Sequence, residues 1–137
     1  MLRARLLVPA LVLPALAFGA EPAMAKPVEV LKGNVKSVGH AGKGRAAVVV
    51  NRGRRTLTLR RFKIDPGPKV LVYLVPRSAR SDRQVPRKFV NLGKLKGSKG
   101  NQSYRIPRSV DLRRFSSVVF WCVPFTQTLA RADLRRS

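Results

Sequence analysis

The sequence holds one cysteine, Cys122, one histidine, His40, and one tryptophan, Trp121, and its 6 acidic residues face 29 lysines and arginines in a chain of 137. Each scarcity excludes something. One cysteine forms no internal disulfide, so the fold rests on its core, and a chain of this length can bury one. The acids Glu21, Glu29, Asp65, Asp82, Asp111 and Asp133 stand singly, leaving no carboxylate pair at motif spacing for general acid–base work. No serine-hydrolase elbow or zinc signature is present, and the glycines of Gly93-Lys94-Leu95-Lys96-Gly97-Ser98-Lys99-Gly100 do not follow a strand and open a helix, as a phosphate loop requires. These absences read against an enzyme of hydrolytic or acid–base type, and a dyad of Cys122 and His40 is the one catalytic arrangement left open. Both methionines, Met1 and Met24, precede Lys26.

Their position matters because the N-terminus has the layout of an export signal. Arg3 and Arg5 lead into an apolar stretch from Leu6 to Phe18, followed by Ala23-Met24-Ala25, a small-x-small cleavage pattern. We read residues 1–25 as a cleaved signal peptide and residues 26–137 as one domain, secreted or otherwise extracytoplasmic. The apolar stretch contains Pro9 and Pro14 and falls short of the roughly 20 residues that span a bilayer. No transmembrane segment is therefore expected in the mature chain, and no cysteine follows the stretch to carry a lipid. After cleavage no thioether remains as a ligand.

What is present alternates with a period of two. Arg54-Arg55-Thr56-Leu57-Thr58-Leu59-Arg60 places Leu57 and Leu59 on one face, as a half-buried strand does, and Asn51-Arg52-Gly53 joins it to an apolar run at 46–50 as a hairpin. Asp65-Pro66-Gly67-Pro68 is a tight turn before the continuous apolar run Val70–Val75. Further strands are expected at 89–92, 103–106 and 118–122, and residues 126–132 fit a strand or a short helix. Asp111 begins a single helical turn at 112–115. Residues 76–88, polar and carrying two prolines, read as an exposed loop. No window sustains a helical stripe. The fold class is therefore all-β, a sandwich or flattened barrel of about seven to nine short antiparallel strands.

The net charge of +23 points to binding. Arg52, Arg54, Arg55, Arg60, Arg61 and Lys63 gather around the hairpin, where arginine forks could hold phosphates in register. The alternative is a solvated face. Basic residues such as Arg80, Arg83, Arg135 and Arg136 lie far off in sequence. Nucleic acid is the less fitting polyanion, since aromatic interleaving is missing and export removes it. Anionic envelope polymers and lipid head groups suit the compartment better.

The order of Asp65-Pro66-Gly67-Pro68 before Val72-Tyr73-Leu74, then Leu92-Gly93-Lys94-Leu95-Lys96-Gly97 with Gly100, Gln102, Tyr104 and Pro107, then Val118-Val119-Phe120-Trp121-Cys122 with Phe125, resembles the DM-thirteen domain. That family is the electron-transfer module found beside DOMON domains in Skeletor-type animal proteins and alone in bacterial exported proteins. The resemblance spans residues 31–134. It implies a β-rich extracytoplasmic domain, a small redox or electron-transfer module with an unidentified redox partner, whose redox-active cysteine is matched by Cys122. The family's histidine would fall on His40, although Gly39-His40-Ala41-Gly42-Lys43-Gly44 departs from the usual pattern.

Read from its residues alone, Cys122 has two meanings. On a strand, Val118, Phe120 and Cys122 share one apolar face while Val119 and Trp121 share the other, so the strand is central and the thiol a small core hydrophobe. Alternatively, an unpaired thiol in an oxidising compartment, amid strong positive charge and two residues before Pro124, is a reactive group open to reversible oxidation, partner pairing, a metal or haem iron. Haem has no Cys-x-x-Cys-His attachment sequence here, and His40 would be its second ligand. Trp121, adjacent in sequence, reports on the sulfur. Intact-mass analysis of exported protein is expected to place the N-terminus at Lys26. Full-length chain in the membrane fraction would overturn the signal-peptide reading.

Overall fold

The computed structural model describes residues 26–137 together with residues 4, 9–12 and 14, so the expected cleavage segment at 23–25 lies outside the described residues. Among the described residues ten strands follow in order: β1 Val28–Asn34, β2 Lys36–Ser37, β3 Gly42–Asn51, β4 Arg54–Ile64, β5 Val70–Val75, β6 Val90–Lys94, β7 Gln102–Ile106, β8 Ser117–Cys122, β9 Gln127–Asp133 and β10 Arg135–Arg136. They form two antiparallel five-stranded sheets, β10-β1-β3-β4-β7 and β2-β9-β8-β5-β6, stacked as a sandwich rather than closed as a barrel. Among the described residues the only helical element is the 3-10 turn Val85–Arg87.

The β3–β4 hairpin follows from its turn. Arg52 and Gly53 have φ of 51° and 75°, the two positive values a two-residue I′ turn needs to match the twist of its strands. Beyond Leu59 the alternation slips. Arg60 and Arg61 are both exposed, and Phe62 and Ile64 then return to the core. The slip is a bulge: Lys43 pairs with Lys63 and Arg45 with Arg60, so Gly44 alone faces Arg61 and Phe62.

Between the sheets lies one core. Ala46, Val48, Leu57, Leu59, Phe62 and Ile64 of the first sheet meet Val72, Leu74, Val118, Phe120 and Leu129 of the second, and the Phe62 and Phe120 rings pack at 4.8 Å. Burying each of these side chains larger than alanine contributes about 1.5–3 kcal/mol. A second apolar cluster lies outside the second sheet, where Tyr73, Val75, Val119 and Trp121 are covered by Ala79 and Val85. The segment 76–88 is thus a correction to the expected exposed loop. Its polar residues other than the half-buried Arg77 are exposed, but Ala79 and Val85 are buried and close a second core. With both faces covered, all six residues of β8 are buried. The segment left open between strand and helix is the strand β9.

Gly44 has φ of 134°, and a Cβ there would lie 2.8 Å from the Phe62 Cα. Gly53 also has positive φ but open space around it. Gly44→Ala is expected to destabilise by about 2–4 kcal/mol, from strain plus collision with backbone, and Gly53→Ala by only about 1 kcal/mol. Urea denaturation of both variants checks the order, and an equal loss would show that the bulge relaxes.

Candidate functional site

Cys122 ends β8 on the inner face of the second sheet, 1% exposed. Its Sγ donates to the Pro68 carbonyl at 3.2 Å, and a Cβ placed on Gly67 would lie 3.6 Å from it. The Pro66–Pro68 turn is therefore the cover of the thiol. The outer side of that cover faces an open groove of about 570 Å³ lined by Gly67, Lys69, Val70 and Lys94 among others. Pro124 does not leave the sulfur at an open strand end, because the turn before β5 folds over it.

On the opposite face of the same strand, Trp121 packs 6.2 Å from Tyr73, and Tyr73 stacks on Phe89 at 4.2 Å and 16°. Phe89 is 41% exposed while Trp121 and Tyr73 are buried. The three rings form a file from the centre of the second sheet to its surface. Burial pushes the Tyr73 phenol above its usual range, so it keeps its proton through neutral pH. The pairing of Val72 with Phe120 and Tyr73 with Val119 is what sets this order, since it brings β5 beside β8 in one register.

His40 is half-buried in the β2–β3 connection, where its Nδ1 lies 3.2 Å from the Asp65 carbonyl oxygen and its amide donates to Leu129. It thus touches the start of the segment whose other end covers Cys122. Each side chain meets its own backbone carbonyl, His40 that of Asp65 and Cys122 that of Pro68, and neither lines the groove over Gly67. Among the described residues no three His, Cys, Asp or Glu side chains converge.

The expected basic cluster divides. Arg55 points inward and is spent on structure, donating to the carbonyls of Val110, Pro107 and Arg108 at 2.8, 2.6 and 3.0 Å, so it leaves the candidate phosphate set. Arg52 and Arg54 stand at the hairpin turn, while Arg60, Arg61 and Lys63 lie at the bulged far end of β4. Arg60 and Arg61 line a cleft of about 750 Å³ with Lys43 and Arg45.

Sequence reasoning missed the strongest polar construction. Arg131, only 8% exposed, inserts from β9 and donates to the carbonyls of Ala79 and Arg77. Asp133 receives Ser117 Oγ at 2.6 Å, Arg131 Nε at 2.9 Å and Arg80 Nη1 at 2.9 Å. This ion pair fastens the covering segment 76–88 to the second sheet. Its only trace in the sequence is the i, i+2 spacing of Arg131 and Asp133, which a strand puts on one face. Arg80, Arg135 and Arg136 are not remote background charges, since all three line one cleft of about 710 Å³.

In a comparison with known families, the family model described as electron transfer DM13 matches residues 34–134. No curated protein and no solved structure matches the chain. Among the described residues no helix is long and apolar enough to cross a membrane.

Burial pushes the Asp133 carboxyl up, but the hydrogen bonds from Ser117 and Arg131, the Arg131 charge and Arg80 outweigh it and hold the group down to about 2, from an ordinary 3.8. A depressed carboxylate contributes stability that is present above its unfolded value and lost as pH falls through the folded one. Unfolding free energy is therefore expected to drop between about pH 4 and pH 2, with a share of about 1–2 kcal/mol from Asp133, reduced by its partial solvent contact. Asp133→Asn should flatten the profile by that amount. An unchanged profile would show that the pair contributes nothing to folding.

Proposed function

The chain belongs to the electron transfer DM13 family, and from that premise we propose that it serves outside the cytoplasm as a small one-electron carrier whose redox-bearing part is the β5–β8 pair of the second sheet. The observation that carries this reading is the ring file Trp121–Tyr73–Phe89, which starts one residue from Cys122 and ends at the surface. A buried, closely packed site suits outer-sphere transfer, because little around it rearranges when charge appears. Exposed Phe89 is then the edge against which a redox partner docks. An electron drawn from Trp121 by a one-electron oxidant is replaced from Tyr73, whose phenol releases its proton to water as the phenoxyl radical forms. Cys122, held on the Pro68 carbonyl, is the candidate that supplies or stores the equivalent when the Pro66–Pro68 turn opens.

Azide radicals generated by pulse radiolysis test this, since the chain has one tryptophan and two tyrosines. The indolyl signal of Trp121 is expected to decay into a phenoxyl signal, and Tyr73→Phe to abolish that step while Tyr104→Phe preserves it. Cys122→Ser separates the two meanings of the thiol. A longer-lived phenoxyl radical in that variant would show the sulfur acting as donor, whereas identical decay, with alkylation only in denaturant, would make it a packing residue. An indolyl radical that never passes to Tyr73 would overturn the ring file as a conduit.

A further inference from the structure

Wherever the described sheets set one charged residue directly opposite another, the two are cations. Lys32 faces Arg135, Lys36 faces Arg131, Lys43 faces Lys63, Arg45 faces Arg60, and the isolated bridge joins Lys63 to Lys99. Like charges directly opposed destabilise a sheet, and nothing in the β-ladder requires five such pairs. Three of the five pairs lie within two adjoining clefts, while Lys63 and Lys99 line neither. Lys32 of β1, Lys36 of β2, Arg45 of β3, Arg80 of the covering segment, and Arg135 and Arg136 of β10 all line the 710 Å³ cleft where the β1–β10 edge of one sheet meets the β2–β9 edge of the other. The second cleft, with Lys43, Arg60 and Arg61, shares Asn34 and Arg45 with it, so the two run on into one track.

The two acids beside this track neutralise only its Arg45, Arg80 and Arg131. Asp133 is held by Ser117, Arg131 and Arg80, and Glu29 by Arg45 and Ser137. Among the described residues no carboxylate pairs with Lys36, Arg135 or Arg136. Folding thus gathers more cations than the two acids can offset and leaves Lys36, Arg135 and Arg136 with no carboxylate, an arrangement that an anion lying between them would relax.

We propose that this track binds a linear polyanion of repeated phosphate groups, with Lys36, Arg135 and Arg136 as its central contacts. Arginine forks match phosphate oxygens two at a time, and the track is too long for a single phosphate. Among the described residues no aromatic side chain lines either cleft to stack on a nucleobase, and Val38 is the only sizeable apolar side chain of the first. The chemistry is that of a bare phosphate chain. The inference does not depend on electron transfer, since Trp121, Tyr73 and Phe89 line neither cleft.

Fluorescence titration with linear inorganic polyphosphate, beside polyglutamate of matched charge, tests it at about 0.15 M salt. Polyphosphate is expected to bind the tighter. Lys36→Gln/Arg135→Gln/Arg136→Gln should weaken it about tenfold or more, and Lys94→Gln/Lys99→Gln/Arg108→Gln, outside both clefts, by no more than about twofold. The cleft variant should also melt higher than the parent without ligand, because repulsion is removed, and should lose the parent's upward shift with polyphosphate. Lys36→Gln alone gives the same directions at smaller size. Equal losses in the two triple variants would mean diffuse attraction and overturn the site. A larger loss from Arg52→Gln/Arg54→Gln would move it to the hairpin turn, and equal affinity for polyglutamate would overturn the phosphate chemistry.

Discussion

The guanidinium of Arg131, held by Asp133 and reaching the carbonyls of Arg77 and Ala79, is the contact on which the second sheet's two-sided burial depends. A sheet of alternating residues needs only one covered face. Here Val119 and Trp121 are as apolar as Val118 and Phe120, so a second cover is obligatory, and residues 76–88 supply it with only Ala79 and Val85 pointing in. Two small apolar contacts hold a thirteen-residue segment weakly, and the charged hydrogen bonds to its backbone make up the difference. A buried cation left without its carboxylate would be costly. Asp133 is therefore as necessary as Arg131 itself.

That cover also separates two kinds of chemistry on one strand. Cys122 looks into the sandwich and is closed over by a turn, whereas Trp121 looks outward into a layer one side chain thick, with Phe89 at its rim. The peptide joining them is the shortest link between the thiol and the rings. The sandwich interior protects the sulfur, and the thinner outer layer brings the rings close to solvent.

Much of the architecture was legible in the sequence. The hairpin turn was written in Asn51-Arg52-Gly53, the two central strands in unbroken apolar runs, and the sandwich in the absence of any helical stripe. The family resemblance placed the order of the pieces. What escaped did so for physical reasons. The bulge at Arg61 shifts the phase of β4, so its last four residues no longer match the pattern of the first seven. The irregular pairing between Glu29 and Leu31 breaks the alternation of β1 in the same way. Arg55 read as one more surface cation because nothing in a sequence reveals that three carbonyls wait for it. Arg80, Arg135 and Arg136 meet Lys32 and Lys36 only through tertiary register, which local spacing does not encode.

The four outer strands, β10 and β7 of one sheet and β2 and β6 of the other, have a property in common. Two are only two residues long, and each carries at least one exposed cation: Arg135 and Arg136, Arg105, Lys36, and Lys94. Unpaired strand edges invite a strand from a neighbouring copy, and short, charged edges refuse it. The positive charge therefore keeps crowded copies from zipping into fibres. That guard is conditional, because an anion that neutralises Arg135, Arg136 and Lys36 uncovers two edges at once, and the protein's resistance to aggregation then depends on what it has bound.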